Sequence, residues 1–249
     1  MFTPTIDGPE VTAIILCGGQ GTRLRDVIPN TPKALAILNG MPFIHILLQK
    51  IEEISPKNVI LCTGHLGSQI REILGDSYRS LRLIYSHEES PLGTAGALRN
   101  AVKHLDTQLV FVTNGDSFLE IQLMDYVRWH RKVCSKVSLV VKEVSDVERY
   151  GKVEMNKSGE ITEFTEKSTK TSSSKGFINT GNYLMDRETI NNIPKVGSVS
   201  LEREVLPSLI ADGVSGYVAT GRFIDIGTPE SLKKASQFFS KQRMSRDLS

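Results

Sequence analysis

Cysteine is scarce in this chain. Cys17, Cys62 and Cys134 are odd in number and far apart, so no disulfide framework braces the fold. Cys17 and Cys62 fall inside apolar runs, where free thiols are commonly buried, and a reducing cytoplasm is the simplest setting. Long apolar runs are missing: none approaches the ~20 residues that span a bilayer. The first ten residues have neither a basic n-region nor an apolar core, which argues against a signal peptide. Charge of one sign is not in excess either. Thirty Lys and Arg against 28 Asp and Glu leave a net charge of +2, so no nucleic-acid or membrane footprint shows. The five histidines form no HExxH or other metal-ligand spacing.

What is present begins with the segment Leu16-Cys17-Gly18-Gly19-Gln20-Gly21-Thr22-Arg23-Leu24, followed by Pro32-Lys33. An apolar run leads straight into it. Glycines at a strand end expose backbone N–H groups, and successive N–H groups in a tight turn make an anion-binding concavity. Arg23 adds a planar, permanently charged fork that suits phosphate, and Lys33 a second cation. The Walker lysine is absent, because Arg23 follows Gly21-Thr22, and so is the dinucleotide fingerprint Gly-x-Gly-x-x-Gly. The plain alternative is a Gly-rich turn with solvated cations.

At 249 residues the chain fits one large α/β domain or two small ones. Its first half alternates. Residues 11–17, 58–63, 81–86, 108–113 and 137–144 read as strands; 42–54, 68–74, 94–105 and 123–133 read as helices. Such alternation predicts βαβ units and a mostly parallel sheet with helices on both faces. Ligands then bind outside the carboxyl ends of the strands, where the Gly-rich turn and Asn114-Gly115-Asp116 should converge. After about Tyr150 the pattern changes to short alternating pieces at 152–155, 160–165 and 177–184, with a polar Lys/Ser/Thr loop at 167–175. This predicts a mixed β insertion closing over the crevice. A helix at 201–211, a strand ending at Ile226 and a final helix opened by Thr228-Pro229-Glu230 complete the chain, with a frayed tail from Gln242. The expectation is a single domain, 1–249. Its lobes are an alternating α/β part at 11–144 and a small β-rich part at 145–226, followed by a helix at 227–240.

Several side chains carry candidate chemistry. Asp116 sits on a strand tip after Leu109-Val110-Phe111-Val112-Thr113, and Asp225 lies in Phe223-Ile224-Asp225-Ile226-Gly227-Thr228-Pro229. Magnesium takes one or two carboxylates plus substrate phosphates, which this pair could supply. Taken alone, Asp116 reads equally well as a turn aspartate and Asp225 as a helix-start carboxylate. Pro91-Leu92-Gly93-Thr94-Ala95-Gly96 opens a helix with small residues on which a flat base could lie, or is an ordinary helix start. Glu88 stands just before it. An ionised carboxylate only accepts hydrogen bonds, and guanine offers two adjacent donors, N1–H and N2–H. Uracil and thymine offer one donor between carbonyls, and adenine and cytosine an unprotonated ring nitrogen. Glu88 therefore points to GTP, with a solvated loop carboxylate as the alternative.

The run Gly-Gly-x-Gly-Thr-Arg-Leu with its downstream Pro-Lys resembles the signature of the sugar-phosphate nucleotidyltransferases. The likeness covers about residues 12–239 and is nearest to the short D-glycero-α-D-manno-heptose 1-phosphate guanylyltransferases, with mannose-1-phosphate guanylyltransferases next. The resemblance implies the nucleotide-diphospho-sugar transferase fold, α/β and Rossmann-like. It implies attack of a sugar 1-phosphate on the α-phosphorus of an NTP, releasing pyrophosphate, in the supply of lipopolysaccharide or capsule synthesis. It also implies roles. Leu16, Gly18, Gly19, Gln20, Gly21, Thr22, Glu88, Pro91, Gly93, Thr94 and Asn114 would bind the nucleotide. Arg23 would stabilise the leaving pyrophosphate and Lys33 the α-phosphate. Lys167 would align the nucleophile beside Glu166, with Gly151, Asn179 and Thr180 on the sugar, and Asp116 and Asp225 would hold Mg²⁺. The sequence departs from the family at Ser168, where a proline usually follows Glu-Lys, and Lys167 also reads as part of a solvated loop. No long C-terminal extension follows that could carry an acyltransferase, which disfavours the bifunctional N-acetylglucosamine type. The implied partners are GTP and a sugar 1-phosphate, with no nucleic acid or membrane and a homo-oligomer left open. Guanylyl transfer to mannose 1-phosphate, or uridylyl transfer to a hexose 1-phosphate, is the alternative among enzymes. An inactive nucleotide-sugar sensor is the alternative outside them, and it should have lost Arg23, Lys33 or a metal aspartate.

Overall fold

The computed structural model describes residues 10–19, 21–24, 26–147, 150–165, 175–195 and 197–246, with side chains to residue 240. The first half runs β1 (Val11–Leu16), β2 (Ile37–Leu38), β3 (Met41–Pro42), α1 (Phe43–Ile51), β4 (Val59–Thr63), α2 (Gly67–Leu74), β5 (Ser77–Tyr78), β6 (Leu81–His87), α3 (Gly93–Ala101), β7 (Leu109–Asn114), β8 (Ser117–Leu119), α4 (Leu123–Val133) and β9 (Val137–Val144). The second half adds β10 (Lys152–Met155), β11 (Ile161–Thr165), β12 (Gly176–Asp186), α5 (Arg187–Asn191), α6 (Leu206–Ser208), β13 (Val214–Ala219), β14 (Phe223–Asp225) and α7 (Pro229–Arg246). Among the described residues no helix is long and apolar enough to cross a membrane.

Strands β7, β1, β4 and β6 pair in parallel, as the βαβ reading predicts. They form the middle of a sheet in the order β11-β10-β12-β7-β1-β4-β6-β5, with β9 on β12 and β13 on β9. Strands β10 to β13 of the second half therefore extend the first-half sheet rather than forming an insertion laid over it. The reason is the length of β12. Its second half, from Asn182 to Asp186, pairs antiparallel with β7, while Phe177 in its first half pairs with Val153 of β10. Its pairing with β9 shifts register between Asn179 and Tyr183.

The sheet buries both faces, as parallel sheets must. Val11, Ala13 and Ile15 of β1 face a core built with α1, α2, α4 and α7; Ile14 faces a second core with α3, α5 and residues 199–206. Helix α1 fits this plan because Phe43, Ile44, Leu47, Leu48 and Ile51 recur at helical spacing and are all buried. Helix α7 opens as expected, with Ser231 N–H donating to the Thr228 hydroxyl at 3.2 Å.

Four sequence expectations differ from the fold. Pro42 belongs to β3 rather than α1, because it has no N–H and sits at an extended ψ of 136°. The stretch 201–211 is not one helix but a π-helical turn (Leu201–Val205), α6 and a 3-10 turn (Ile210–Asp212), with Pro207 inside the change of winding. The strand ending at Ile226 is two strands in different sheets: β13 joins β9, whereas β14 pairs with β8. Helix α7 continues past Gln242 to Arg246, a stretch with no Gly or Pro to stop it.

One polar network crosses the first core. The Tyr126 hydroxyl accepts from Leu184 N–H at 3.1 Å and lies 2.9 Å from the Ser138 hydroxyl, which in turn lies 2.8 Å from His130 Nδ1. Burial pushes the His130 imidazole from 6.5 down to about 4, and neighbouring Arg131 adds to this. Above pH 6.5 His130 is neutral folded or unfolded. As pH falls below 6.5 only the unfolded chain takes the proton, so stability drops until about pH 4 and then levels off. Chemical denaturation from pH 7.5 to 4.5 should show this loss, up to about 3 kcal/mol, and His130→Asn should flatten that part of the profile. An unchanged slope in the variant would assign the loss to other groups.

Candidate active site

Strands β1, β4 and β7 end level: Leu16 stands opposite Asn114 on one side and Cys62 on the other. Gly115 N–H donates to the Leu16 carbonyl at 2.9 Å, and a methyl group at position 115 would lie 2.6 Å from that oxygen. Only glycine lets the two strand ends close like this. The chain then turns into β8, so that Asp116 is held between Gly115 and the β8–β14 ladder. Ile226 N–H donates to the Asp116 carbonyl at 2.8 Å, and Asp225 pairs with Ser117. The two predicted metal carboxylates thus come from neighbouring strands.

Two clefts open along these strand ends. The smaller, about 330 Å³, is lined by Leu16, Gly18, Gly19, Glu88, Pro91, Gly93 and Thr94. The larger, about 840 Å³, is lined by Arg23, Tyr150, Gly151, Asn179, Thr180, Glu202 and Asp225. Lys33, Asn114 and Asp116 line both. Lys33 follows Pro32, whose ring fixes the entry into the turn Lys33–Leu35, and its ammonium lies 3.4 Å from the Asp116 carboxylate. That pair is partly open, with 23% and 38% of the two side chains exposed.

The structure therefore gathers most of the predicted residues at one place, with some redistribution. Gly18, Gly19, Leu16, Glu88, Pro91, Gly93 and Thr94 share the smaller cleft, and Gly151, Asn179 and Thr180 the larger. Arg23 lines the larger cleft rather than the one holding Gly18 and Gly19. Gly21 lies against the Lys33 stem, and Thr22 is exposed and lines neither cleft. Gln20, Glu166 and Lys167 lie outside the described residues, as does most of the 167–175 loop.

Glu88 closes the smaller cleft. Its N–H continues the β4–β6 pairing by donating to the Thr63 carbonyl at 2.8 Å, and its carboxylate accepts from Leu92 N–H at 3.3 Å. The other carboxylate oxygen sits over Gly18 and Gly64, where a Cβ would come within 2.9 Å of it. Burial raises the Glu88 pKa; the Leu92 N–H and His87 pull the other way. Beyond Glu88 a further recess of about 420 Å³ runs past His65, Leu66 and His87. Cys17 also faces the smaller cleft, but burial, helped by Asp116, pushes its thiol up to about 12. It stays protonated and is no nucleophile.

Asp225 is tightly oriented. One oxygen accepts from Gly227 N–H at 2.9 Å and from the Ser231 hydroxyl at 3.2 Å; the other accepts from the Tyr150 hydroxyl at 2.9 Å. Among the described residues no three His, Cys, Asp or Glu side chains cluster closely enough to hold a metal by themselves. Two hard oxygen donors beside a cleft fit a magnesium ion whose remaining ligands are water and substrate oxygens. The Asn114 side-chain oxygen is buried without a partner at the junction of the clefts, a state usually explained by a ligand or water that completes it.

The chain is similar to known proteins over most of its length. The family model described as nucleotidyl transferase matches residues 12–242. The chain belongs to the nucleotidyl transferase family. It is 33% identical over 218 residues to the D-glycero-alpha-D-manno-heptose 1-phosphate guanylyltransferase of Campylobacter jejuni, covering 88% of this chain and 95% of the relative. It is 35% identical over 231 residues to the mannose-1-phosphate guanylyltransferase of Mycobacterium tuberculosis, covering 91% of this chain but only 64% of the relative's length. Among solved structures, HddC from Yersinia pseudotuberculosis complexed with GMP-PN superposes with a TM-score of 0.79 at 30% identity, over 92% of this chain and 99% of that one.

Sequence reasoning missed Glu202 and Arg203, both lining the larger cleft. Gly181, which directly follows Asn179 and Thr180, lines it too. It has φ +76° in the register shift of β12, and a Cβ there would overlap the Asn114 amide. Gly181→Ala should therefore displace Asn114 and lower turnover at least tenfold while the melting temperature falls only a few degrees. A variant with wild-type kcat would show that Asn114 need not be held where it is.

Proposed function

We propose that the chain transfers guanylyl from GTP to a sugar 1-phosphate, giving a GDP-sugar and pyrophosphate, with D-glycero-α-D-manno-heptose 1-phosphate as the acceptor. The observation that carries this reading is the sharing of Lys33, Asn114 and Asp116 by two adjoining clefts. A donor in one and an acceptor in the other would meet at those three side chains. The named activities of the Campylobacter and Mycobacterium relatives, and the GMP-PN in the Yersinia structure, support guanine and a sugar 1-phosphate. The heptose is favoured because that relative is matched over nearly its whole length.

In this reading residues 11–144 form the nucleotide lobe and 145–226 the sugar lobe, with the 227–240 helix behind Asp225. A phosphate oxygen of the acceptor attacks the α-phosphorus, the bond to the β-phosphate breaks, and pyrophosphate departs with the electron pair. The attacking phosphate is already ionised, so no general base is required. The remaining problem is the meeting of two anions, which positioning and electrostatics can solve. Leu16, Gly18, Gly19, Gln20, Gly21, Thr22, Pro91, Gly93, Thr94 and Asn114 would seat the nucleotide, and Lys33 would neutralise charge at the α-phosphate. Arg23, an exposed residue lining the larger cleft, would stabilise the departing pyrophosphate. Lys167 would align the acceptor phosphate, with Glu166, Gly151, Asn179 and Thr180 on the sugar. Asp116 and Asp225 would hold Mg²⁺, which when bound would supply positive charge to offset that of the reacting phosphates. The exposed free thiol of Cys134 suits a reducing cytoplasm.

Removing either carboxylate tests the metal assignment. Asp116→Ala and Asp225→Ala should each cut kcat more than a hundredfold at saturating Mg²⁺ with little change in the far-UV spectrum. Retention of more than about a tenth of wild-type kcat, a loss under ~1.4 kcal/mol, would remove that residue from the metal site.

Glu88 tests the nucleotide. A paired contact to a base edge is worth about 1–3 kcal/mol of discrimination. Measured as kcat/KM over GTP, UTP, dTTP, ATP and CTP, the wild type should prefer GTP by at least tenfold, and Glu88→Gln should lose most of that preference. A wild type that prefers UTP or dTTP would overturn the guanine assignment and leave nucleotidyl transfer standing.

A further inference from the structure

Among the described residues Glu202 is the one carboxylate lining the larger cleft besides Asp116 and Asp225, and its surroundings are built to hold it. It rides on the π-helical turn Leu201–Val205, in which Leu206 N–H reaches back to the Leu201 carbonyl. Single π-turns inserted among ordinary helix often mark functional positions, because the extra residue re-aims a side chain. One Glu202 oxygen accepts from the Thr94 hydroxyl at 2.7 Å and the Ser200 hydroxyl at 3.2 Å. The other accepts from the Tyr183 hydroxyl at 3.1 Å, and that phenol itself accepts from Asn179 Nδ2 at 2.9 Å. Tyr183 is fully buried and its pKa is driven well above the ordinary phenol value by burial and then by Glu202, so it remains a donor. Thr94 is likewise fixed, its oxygen accepting from Leu201 N–H at 2.8 Å.

An ionised carboxylate has about four acceptor positions. Thr94, Ser200 and Tyr183 occupy three of them, and the oxygen facing Tyr183 keeps one. Glu202 is only partly buried and lines the larger cleft with Gly151, Asn179 and Thr180, while Thr94 behind it lines the smaller one. Its spare acceptor position thus belongs to the cleft assigned to the sugar. It can be filled by a hydroxyl donor, and it repels a carboxylate or phosphate placed there. We infer that Glu202 is a specificity-determining residue that accepts a hydrogen bond from one ring or side-chain hydroxyl of the sugar 1-phosphate. This inference rests on the proposed transferase reading and adds a chemical requirement to it: the acceptor sugar must carry a hydroxyl at one particular position. The wider consequence is exclusion of acceptors oxidised to an acid at that position.

The test compares wild type and Glu202→Gln with GTP and Mg²⁺ on the heptose and mannose 1-phosphates and on the set of monodeoxy mannose 1-phosphates. In wild type, deoxygenation at one position should lower kcat/KM by about 10- to 100-fold, the range for a hydrogen bond to a charged group. Glu202→Gln should lose a similar factor on the parent sugar but show little further loss on that one analogue, and it should keep the wild-type ratios on the others. The dissociation constant for GTP should change less than threefold. A common factor lost on every sugar would mean a structural role and would overturn the inference, as would wild-type ratios at all positions. Tyr183→Phe is the second variant, serving also if Glu202→Gln does not fold; it should blunt discrimination at the same position, and undiminished discrimination there would overturn the inference. A wild type that converts no sugar 1-phosphate in the panel would instead overturn the transferase reading, and the inference with it.

Discussion

The site depends on how closely two strand ends can approach. Leu16 and Asn114 stand opposite each other, and the bond from Gly115 N–H to the Leu16 carbonyl leaves no room for a side chain at 115. That contact sets the Gly-rich turn of one strand beside the Asp116 turn of the next. From there the order follows. Ser117 begins β8, β8 pairs with β14, and β14 delivers Asp225 alongside Asp116. The long strand β12 crosses beside β7 and, at its irregular point around Gly181, brings Asn179 and Thr180 to the same edge. A larger residue at 115 would disturb the meeting of all of these.

The chemistry of the site is mainly the management of negative charge. Its cations include Lys33 on the shared edge, which already rests against Asp116, and Arg23, Lys152 and Arg203 in the larger cleft. Asp225 is held by three hydrogen bonds, so its geometry need not be organised at the moment of reaction. Such preorganisation is where most electrostatic rate enhancement arises. The Cys17 thiol facing the smaller cleft is kept protonated by burial, so it does not compete with a phosphate oxygen as nucleophile in the proposed reaction.

Much of this was legible in the sequence because the relevant signals are local. The β1 and β7 runs, their glycines and the helical spacing of α1 each announce themselves within a dozen residues, and α4 and β9 fall at the residues expected. The rest needed long-range information. Whether the second-half strands form a separate layer or continue the main sheet is decided by which edge β12 occupies, and nothing within β12 encodes that. β8 is three residues long and β2, β3 and β5 are two, too short to show alternation. Glu202 was invisible for another reason: on a regular helix over 201–211 it would be one more polar residue, whereas in the structure it sits in a π-turn and lines the larger cleft. Arg23 was legible as a phosphate-binding type but not as a residue of the larger cleft, since a glycine-rich turn leaves its direction open.

The most direct test of the account follows an oxygen label. The sugar 1-phosphate, with its non-bridging phosphate oxygens enriched in ¹⁸O, is incubated with GTP, Mg²⁺ and the protein, and the products are weighed by mass spectrometry. Attack by a sugar-phosphate oxygen on the α-phosphorus predicts a GDP-sugar that retains all of the label and pyrophosphate that carries none. Label in the pyrophosphate, or GTP consumed without any GDP-sugar, would contradict the joining of two substrates across Lys33, Asn114 and Asp116.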